Sequence, residues 1–188
     1  MRTIIRRFDG FLRRQYGVYE FTADPACLLR LQDSRTEHSI TLPEGDFPGG
    51  TQAVILHLWN EHTPPLPAGG ADLAYARGLL RSLICSYQMV ARHLKTSAKL
   101  REAELIGGVT VLAPLGEADG GTSMLRHFGF TVLPYHSPLG RFGEFWENFY
   151  TWGLMWAFNP ASLRWQTLGG LRRSEFWMPK RDFLEKFG

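Results

Sequence analysis

The chain has no long apolar run. Nowhere do about 18 uninterrupted apolar residues occur, which excludes the usual signature of a membrane-spanning helix. The opening residues lack an apolar stretch followed by a small-residue cleavage site, so no secretory signal is expected and the cytoplasm is the expected compartment. Reaction signatures are missing as well: there is no G-x-S-x-G elbow, no G-x-x-x-x-G-K-[ST] phosphate loop and no G-x-G-x-x-G after a strand. Ser137 and Ser162 carry no local sign of activation, so covalent catalysis finds no support. Cysteine is scarce, and the two residues, Cys27 and Cys85, lie among apolar neighbours, which suits buried thiols better than a disulfide or a metal pair. Repeats, low-complexity tracts and long linkers are absent. The 188 residues, 44% of them hydrophobic, therefore read as one domain, 1–188. Such a domain buries roughly 70% of the surface its unfolded chain exposes.

The net charge of +3 names no partner, but its distribution is uneven. Arg2, Arg6, Arg7, Arg13 and Arg14 crowd residues 2–14 against a single Asp9, with Ile4, Ile5, Phe8, Phe11 and Leu12 between them. This is a basic amphipathic helix, able to rest on an anionic membrane surface or to pack as an ordinary surface helix. The basic residues form no motif with base-stacking aromatics, so no nucleic acid is expected.

Further along, Val18–Thr22, Cys27–Leu31 and His38–Leu42 read as short strands of an antiparallel meander, and Gln52–Trp59 as a strongly apolar strand. A proline-glycine stretch, Pro64 to Gly70, leads to a long helix from about Asp72 to Leu94, with Asp72 as its cap. Ala103–Ala113 is a strand interrupted by Gly107-Gly108, which suits a bulge or a close approach. A short helix ending at Arg126-His-Phe-Gly129, a strand at Phe130–Pro134, a last strand at Leu171–Met178 and a terminal helix at Arg181–Phe187 complete the order. The fold class is α+β: a single domain with a mixed, mostly antiparallel sheet and flanking helices.

Half of the tryptophans fall in Phe142–Phe158. At 100° per residue Glu144, Glu147, Asn148 and Thr151 form one narrow polar stripe, while Phe145, Trp146, Phe149, Tyr150, Trp152, Leu154 and Trp156 cover most of the remaining girth. A helix so apolar is expected in the core. Its carboxylate Glu147 then needs a partner, with Arg141, Arg164, Arg172, Arg173 and His57 all available.

The densest polar group is His57-Leu-Trp-Asn-Glu-His62, where a buried-type strand gives way to a loop. Its spacing is neither H-E-x-x-H nor H-x-x-E-H, so no metal is expected, whereas proton transfer by His62 or Glu61 is chemically allowed. The candidate catalytic residues are His57, Glu61 and His62; the candidate substrate-binding residues are Trp59, Asn60, Arg141, Glu144, Glu147, Asn148 and Arg173.

Gly17-Val-x-Glu-Phe, Leu56-His-Leu-Trp-Asn-Glu-His62, Pro138-Leu-Gly-Arg-Phe-Gly-Glu-Phe-Trp-Glu-Asn148, Asn159-Pro-Ala-Ser-Leu-Arg164 and Arg172-Arg-Ser-Glu-x-Trp-Met178 resemble the YkoP-like family of uncharacterised bacterial proteins. That family occurs alone or beside a polysaccharide deacetylase domain, and the resemblance implies a setting in cell-envelope glycan metabolism without assigning a catalyst. The order of elements from residue 52, with Phe128-Gly129-Phe130 between a helix and a strand, is similar to the acyltransferase superfamily that uses coenzyme A. This implies a coenzyme A thioester as cofactor, although the loop from Pro64 to Gly70 lacks the basic-Gly-x-Gly spacing of that superfamily.

Two functions are open at this point. The first is a cytoplasmic, peripherally membrane-bound enzyme acting on a glycan, lipid or small molecule, with His57, Asn60, Glu61 and His62 facing Glu144, Glu147 and Asn148 across a pocket. The second is a non-catalytic module that binds a glycan or lipid. A cleft with room for a pantetheine arm beside Gly107-Gly108 favours the enzyme; mutually paired polar groups and an exposed aromatic face favour the module.

Overall fold

The computed structural model describes residues 2–67, 69–70, 72–111, 120–165, 167 and 170–188, with the side chains of 2, 4, 120, 164 and 165 excepted. Helix α1 (Arg2–Gln15) precedes strand β1 (Leu29–Arg35), the hairpin β2 (Ile40–Leu42) and β3 (Gly45–Phe47), and strand β4 (Gln52–Leu58). Helix α2 (Leu73–Thr96), β5 (Leu105–Thr110), α3 (Gly120–His127), β6 (Thr131–Pro134), α4 (Gly140–Phe158), β7 (Ser174–Pro179) and α5 (Lys180–Phe187) follow. The class is α+β. Five strands form one mixed sheet in the order β1-β4-β5-β7-β6, and β2 and β3 form a separate pair. Only β4 and β5 run parallel, because α2 lies between them and carries the chain back across the sheet. They pair over Ala53–Ile55 and Leu105–Gly107, after which β4 remains paired to β1 and β5 to β7.

One face of the sheet carries Leu29, Leu31, Val54, Leu56, Ile106, Val132, Phe176 and Met178, packed against α2, α3 and α5. Helix α2 earns its place through Leu83, Tyr87, Val90, Ala91 and Leu94, apolar positions three and four apart, and its first turn is capped as expected: the Tyr75 N–H donates to Asp72 Oδ1 at 2.7 Å. The opposite face is closed by the small hairpin, whose Ile40 and Leu42 join Ala53, Leu105 and Trp177.

Several local expectations shift. Residues 18–22 form no strand, only a bridge between Tyr19 and Leu31, and the first strand begins at Leu29, two residues later than the apolar run. The expected meander separates: β1 pairs with β4, whereas β2 and β3 pair with each other. The strand at 103–113 is observed as Leu105–Thr110, and its residues 112 and 113 lie outside the described residues.

The largest correction concerns α4, which is not a core helix. Only Gly143 and Ala157 of its residues are buried, while Leu139, which caps it, is 70% exposed, Phe142 67%, Phe145 and Trp146 51% each, and Phe149 52%. Its polar stripe, not its aromatic side, is the part bonded to the rest of the protein.

The expectation for Gly107-Gly108 holds as a close approach. A Cβ at Gly107 would stand 2.1 Å from the Phe176 carbonyl oxygen and 2.5 Å from the Trp177 ring, and one at Gly108 would stand 2.9 Å from the Leu56 carbonyl. Gly107→Ala is therefore expected to destabilise the fold by roughly 3 kcal/mol through overpacking. Gly153→Ala on α4, whose added methyl meets only Ile5 Cδ1 at 3.7 Å, is expected to be neutral or stabilising by about 0.5–1 kcal/mol. Denaturant unfolding of the two variants measures the difference.

Candidate functional site

The alternation of β4 sends Val54 and Leu56 into the main core and His57 to the other face, in register with Arg30 of β1. His57 Nε2 lies 2.8 Å from Gln32 Oε1. Burial, aided by the Arg30 charge, lowers the imidazole pKa to about 4, so the ring is neutral at physiological pH.

After Leu58 the chain turns. Trp59 is buried, the His62 ring stacks on it with centroids 3.7 Å apart, and His62 Nδ1 lies 2.8 Å from the Cys27 carbonyl oxygen. A carbonyl only accepts, so Nδ1 carries the proton in that bond and Nε2 is left as the ring's acceptor. Glu61 is held by a different neighbour: Arg30 Nη1 donates to its Oε2 at 3.0 Å, and Arg13 Nη2 is 3.7 Å from Oε1. Burial raises the carboxyl pKa, but the Arg30 hydrogen bond and the Arg30 and Arg13 charges outweigh it and hold the group below its ordinary value.

Arg30 organises this corner. It is only 3% exposed, its Nε and Nη2 donate to Glu20 Oε1 at 3.2 and 2.9 Å, and its guanidinium lies 4.6 Å from the Trp59 ring centroid. A buried guanidinium is tolerated here because two carboxylates neutralise it. The chain of charges continues through Arg13, 3.2 Å from buried Asp9, whose Oδ1 accepts the Tyr150 hydroxyl proton at 2.6 Å. Burial and the Asp9 bond push the Tyr150 hydroxyl well above its ordinary pKa.

The polar stripe of α4 meets a second group of side chains. Glu147 Oε1 accepts from Ser137 Oγ at 2.7 Å and from the Tyr135 hydroxyl at 3.1 Å, and its Oε2 is 3.6 Å from Arg173 Nε. Arg173 donates through Nη2 to Thr151 Oγ1 at 2.8 Å and through Nη1 to Asn148 Oδ1. Burial first, then the Glu147 charge, push the Tyr135 hydroxyl up to about 12. Of the five partners open to Glu147, Arg173 is the one observed, and the Arg164 side chain lies outside the described residues.

Among the described residues no hydrogen bond or ion pair joins His57, Asn60, Glu61 or His62 to Glu144, Glu147 or Asn148; the link between the two groups runs through Tyr150, Asp9 and Arg13. Arg141 and Glu144 are exposed, and the Trp59 ring is stacked by His62 and met by the Arg30 guanidinium. Phe176 and Trp177 fill the space beside Gly107 and Gly108. Among the described residues no cluster of three His, Cys, Asp or Glu side chains suits a metal ion.

Sequence reasoning missed Arg30, Asp9, Arg13, Glu20 and Tyr150. One signal pointed at the first: a lone arginine inside the apolar run Leu28-Leu-Arg-Leu31 needs acidic company once that run is buried.

His57 makes the site testable by pH. Its folded-state pKa, about 4, lies below the unfolded value of 6.5, so the unfolded chain binds its proton first and stability falls as pH drops from 6.5 towards 4. The expected loss is about 3 kcal/mol across that window, absent above it. Denaturant unfolding at pH 7 and 4.5 should show a smaller pH dependence in His57→Gln than in the parent. Comparisons with protein-family models, with curated proteins and with solved structures find no match to this chain.

Proposed function

We propose that the protein is a non-catalytic accessory module of cell-envelope metabolism that binds lipid through the exposed side of α4. The observation that carries this reading is the orientation of that helix. Its polar residues Glu147, Asn148 and Thr151 are bonded to the protein, while Phe142, Phe145, Trp146 and Phe149, spaced at i, i+3, i+4 and i+7, stand at least half exposed. The groups expected to do chemistry have other work: His57 is neutral and bonded, and Glu61 is an ion-paired carboxylate.

Lipid is favoured over glycan by the arrangement of the rings. A sugar packs its C–H face flat on an aromatic face, so a glycan platform needs coplanar rings. Here Trp146 meets Phe142, Phe145 and Phe149 edge-on, at interplanar angles of 72°, 79° and 85°. Such a ridge of edges suits insertion among acyl chains. No described helix is long and apolar enough to cross a membrane, and the module would act from the membrane surface.

A second reading, an acyltransferase-like enzyme with His62 as general base, draws on the parallel β4/β5 pair joined by α2 and on the lone pair left at His62 Nε2. Against it stand the filled space beside Gly107 and Gly108 and the carboxylate of Asp72 capping α2, where a phosphate would meet negative charge.

Two measurements separate the readings. Trp146→Ala with Phe149→Ala is expected to abolish binding to phospholipid micelles while changing folding stability by less than about 1 kcal/mol, since the rings are half exposed. Acyl-coenzyme A of any chain length is expected to leave the melting temperature unchanged; a concentration-dependent rise would favour the enzyme.

A further inference from the structure

The exposed aromatic ridge does not end at the edge of α4. Helix α1 runs antiparallel beside it: Ile5 lies against Gly153, Arg6 Nη2 donates to the Ala157 carbonyl at 3.5 Å, Phe8 meets Tyr150 edge-on at 6.1 Å, and Asp9 accepts a hydrogen bond from the Tyr150 hydroxyl. Rising numbers in one helix meet falling numbers in the other. On its outer side α1 presents Phe8 and Phe11, each about half exposed (51% and 49%), so the apolar surface continues from one helix to the next.

The charge of this outer side is one-signed. The side chains of Arg7 and Arg14 are exposed, make no hydrogen bond or ion pair among the described residues, and share a helix face with Phe11. The only acid of α1, Asp9, is buried and engaged by Arg13 and Tyr150, so it does not offset them. Arg13 itself is turned inward to Asp9, Glu20 and Glu61. On α4 the exposed acid Glu144 has Arg141 three residues before it. The Tyr150–Asp9–Arg13 chain fixes the two helices to each other and to the sheet, so ridge and arginines move as one surface.

We infer that α1 and α4 together form a single face that seats on an anionic phospholipid bilayer, an assignment that rests on the lipid-binding reading of α4 and adds its headgroup selectivity. Phe8, Phe11, Phe142, Trp146 and Phe149 enter the boundary between headgroups and acyl chains, and Arg7 and Arg14 lie against lipid phosphates. Aromatic side chains with wide apolar bodies are suited to that depth, and arginine forks match phosphate oxygens. A second copy of the chain is the weaker occupant: a two-fold interface on this face would bring the positive α1 surfaces of both copies into one contact.

The test uses the full chain and two vesicle preparations, phosphatidylcholine alone and phosphatidylcholine with about one third phosphatidylglycerol, with partition measured by sedimentation at low and high salt. Expected is tighter partition into the anionic vesicles, weakened by salt. Arg7→Gln with Arg14→Gln should lower anionic partition roughly thirtyfold and leave the neutral vesicles unchanged, whereas Arg7→Lys with Arg14→Lys should retain most of it. Phe142→Ala with Trp146→Ala should lower partition at least tenfold into both preparations. Equal partition into both preparations, indifferent to the arginine variants, overturns the anionic assignment while leaving the lipid-binding reading standing. Absence of partition into either overturns both. Sedimentation equilibrium that finds a dimer abolished by Trp146→Ala overturns the bilayer in favour of a second copy.

Discussion

The fold depends on where Arg173 finds its acceptors. This guanidinium sits just before β7 with its side chain almost wholly buried, and Glu147, Asn148 and Thr151 of α4 receive it. A buried guanidinium left without partners costs several kcal/mol, more than a single exposed aromatic ring loses by facing water. That difference sets the rotation of α4 about its axis. The Ser137 and Tyr135 hydroxyls, both donating to Glu147, fix it further, and the aromatic side has no direction left but outward.

Between Asn148 and Thr151 the same helix is also tied by Tyr150 to Asp9, and from there through Arg13 to Glu61 and Arg30. Five ionised or strongly polar side chains from separate parts of the chain are thus linked to one another. The arrangement explains why these charged groups gather at the turn after β4. A general base needs a free lone pair and a pKa near neutrality. Arg30 and Arg13 hold Glu61 below the ordinary carboxylate range, and the pKa of His57 is held far below neutrality. Arg30 stands in register with His57, and a backbone carbonyl meets His62.

Local chemistry was legible in the sequence. The Asp72 cap, the helical spacing of Leu83, Tyr87, Val90, Ala91 and Leu94, and the close approach demanded by Gly107 and Gly108 each follow from rules that act over a few residues. Pairings across the chain were not. Arg30 meets Glu61 over 31 positions, His62 meets Cys27 over 35, and Tyr150 meets Asp9 over 141, and no spacing rule reaches so far. The α4 stripe was visible, but its direction was not: periodicity fixes which residues share a face, and only the remaining free surface of the sheet decides which face is turned in. The hairpin packs at Trp177 and the helices at Phe176, and α4 turns its polar stripe to Arg173.

That last point bears on function. An amphipathic helix is ordinarily explained by the core it fills, and its apolar residues are then accounted for by folding alone. Here folding accounts for the polar residues of α4, which anchor the helix, and leaves Phe142, Phe145, Trp146 and Phe149 without a structural duty in the described chain. Alanine at those positions would hold the same anchors and remove apolar surface from water. A ridge of exposed rings that folding does not require is best accounted for by something outside the fold, and the helix that carries it is held rigidly enough, at Arg173 and at Asp9, to present that ridge as a preformed surface.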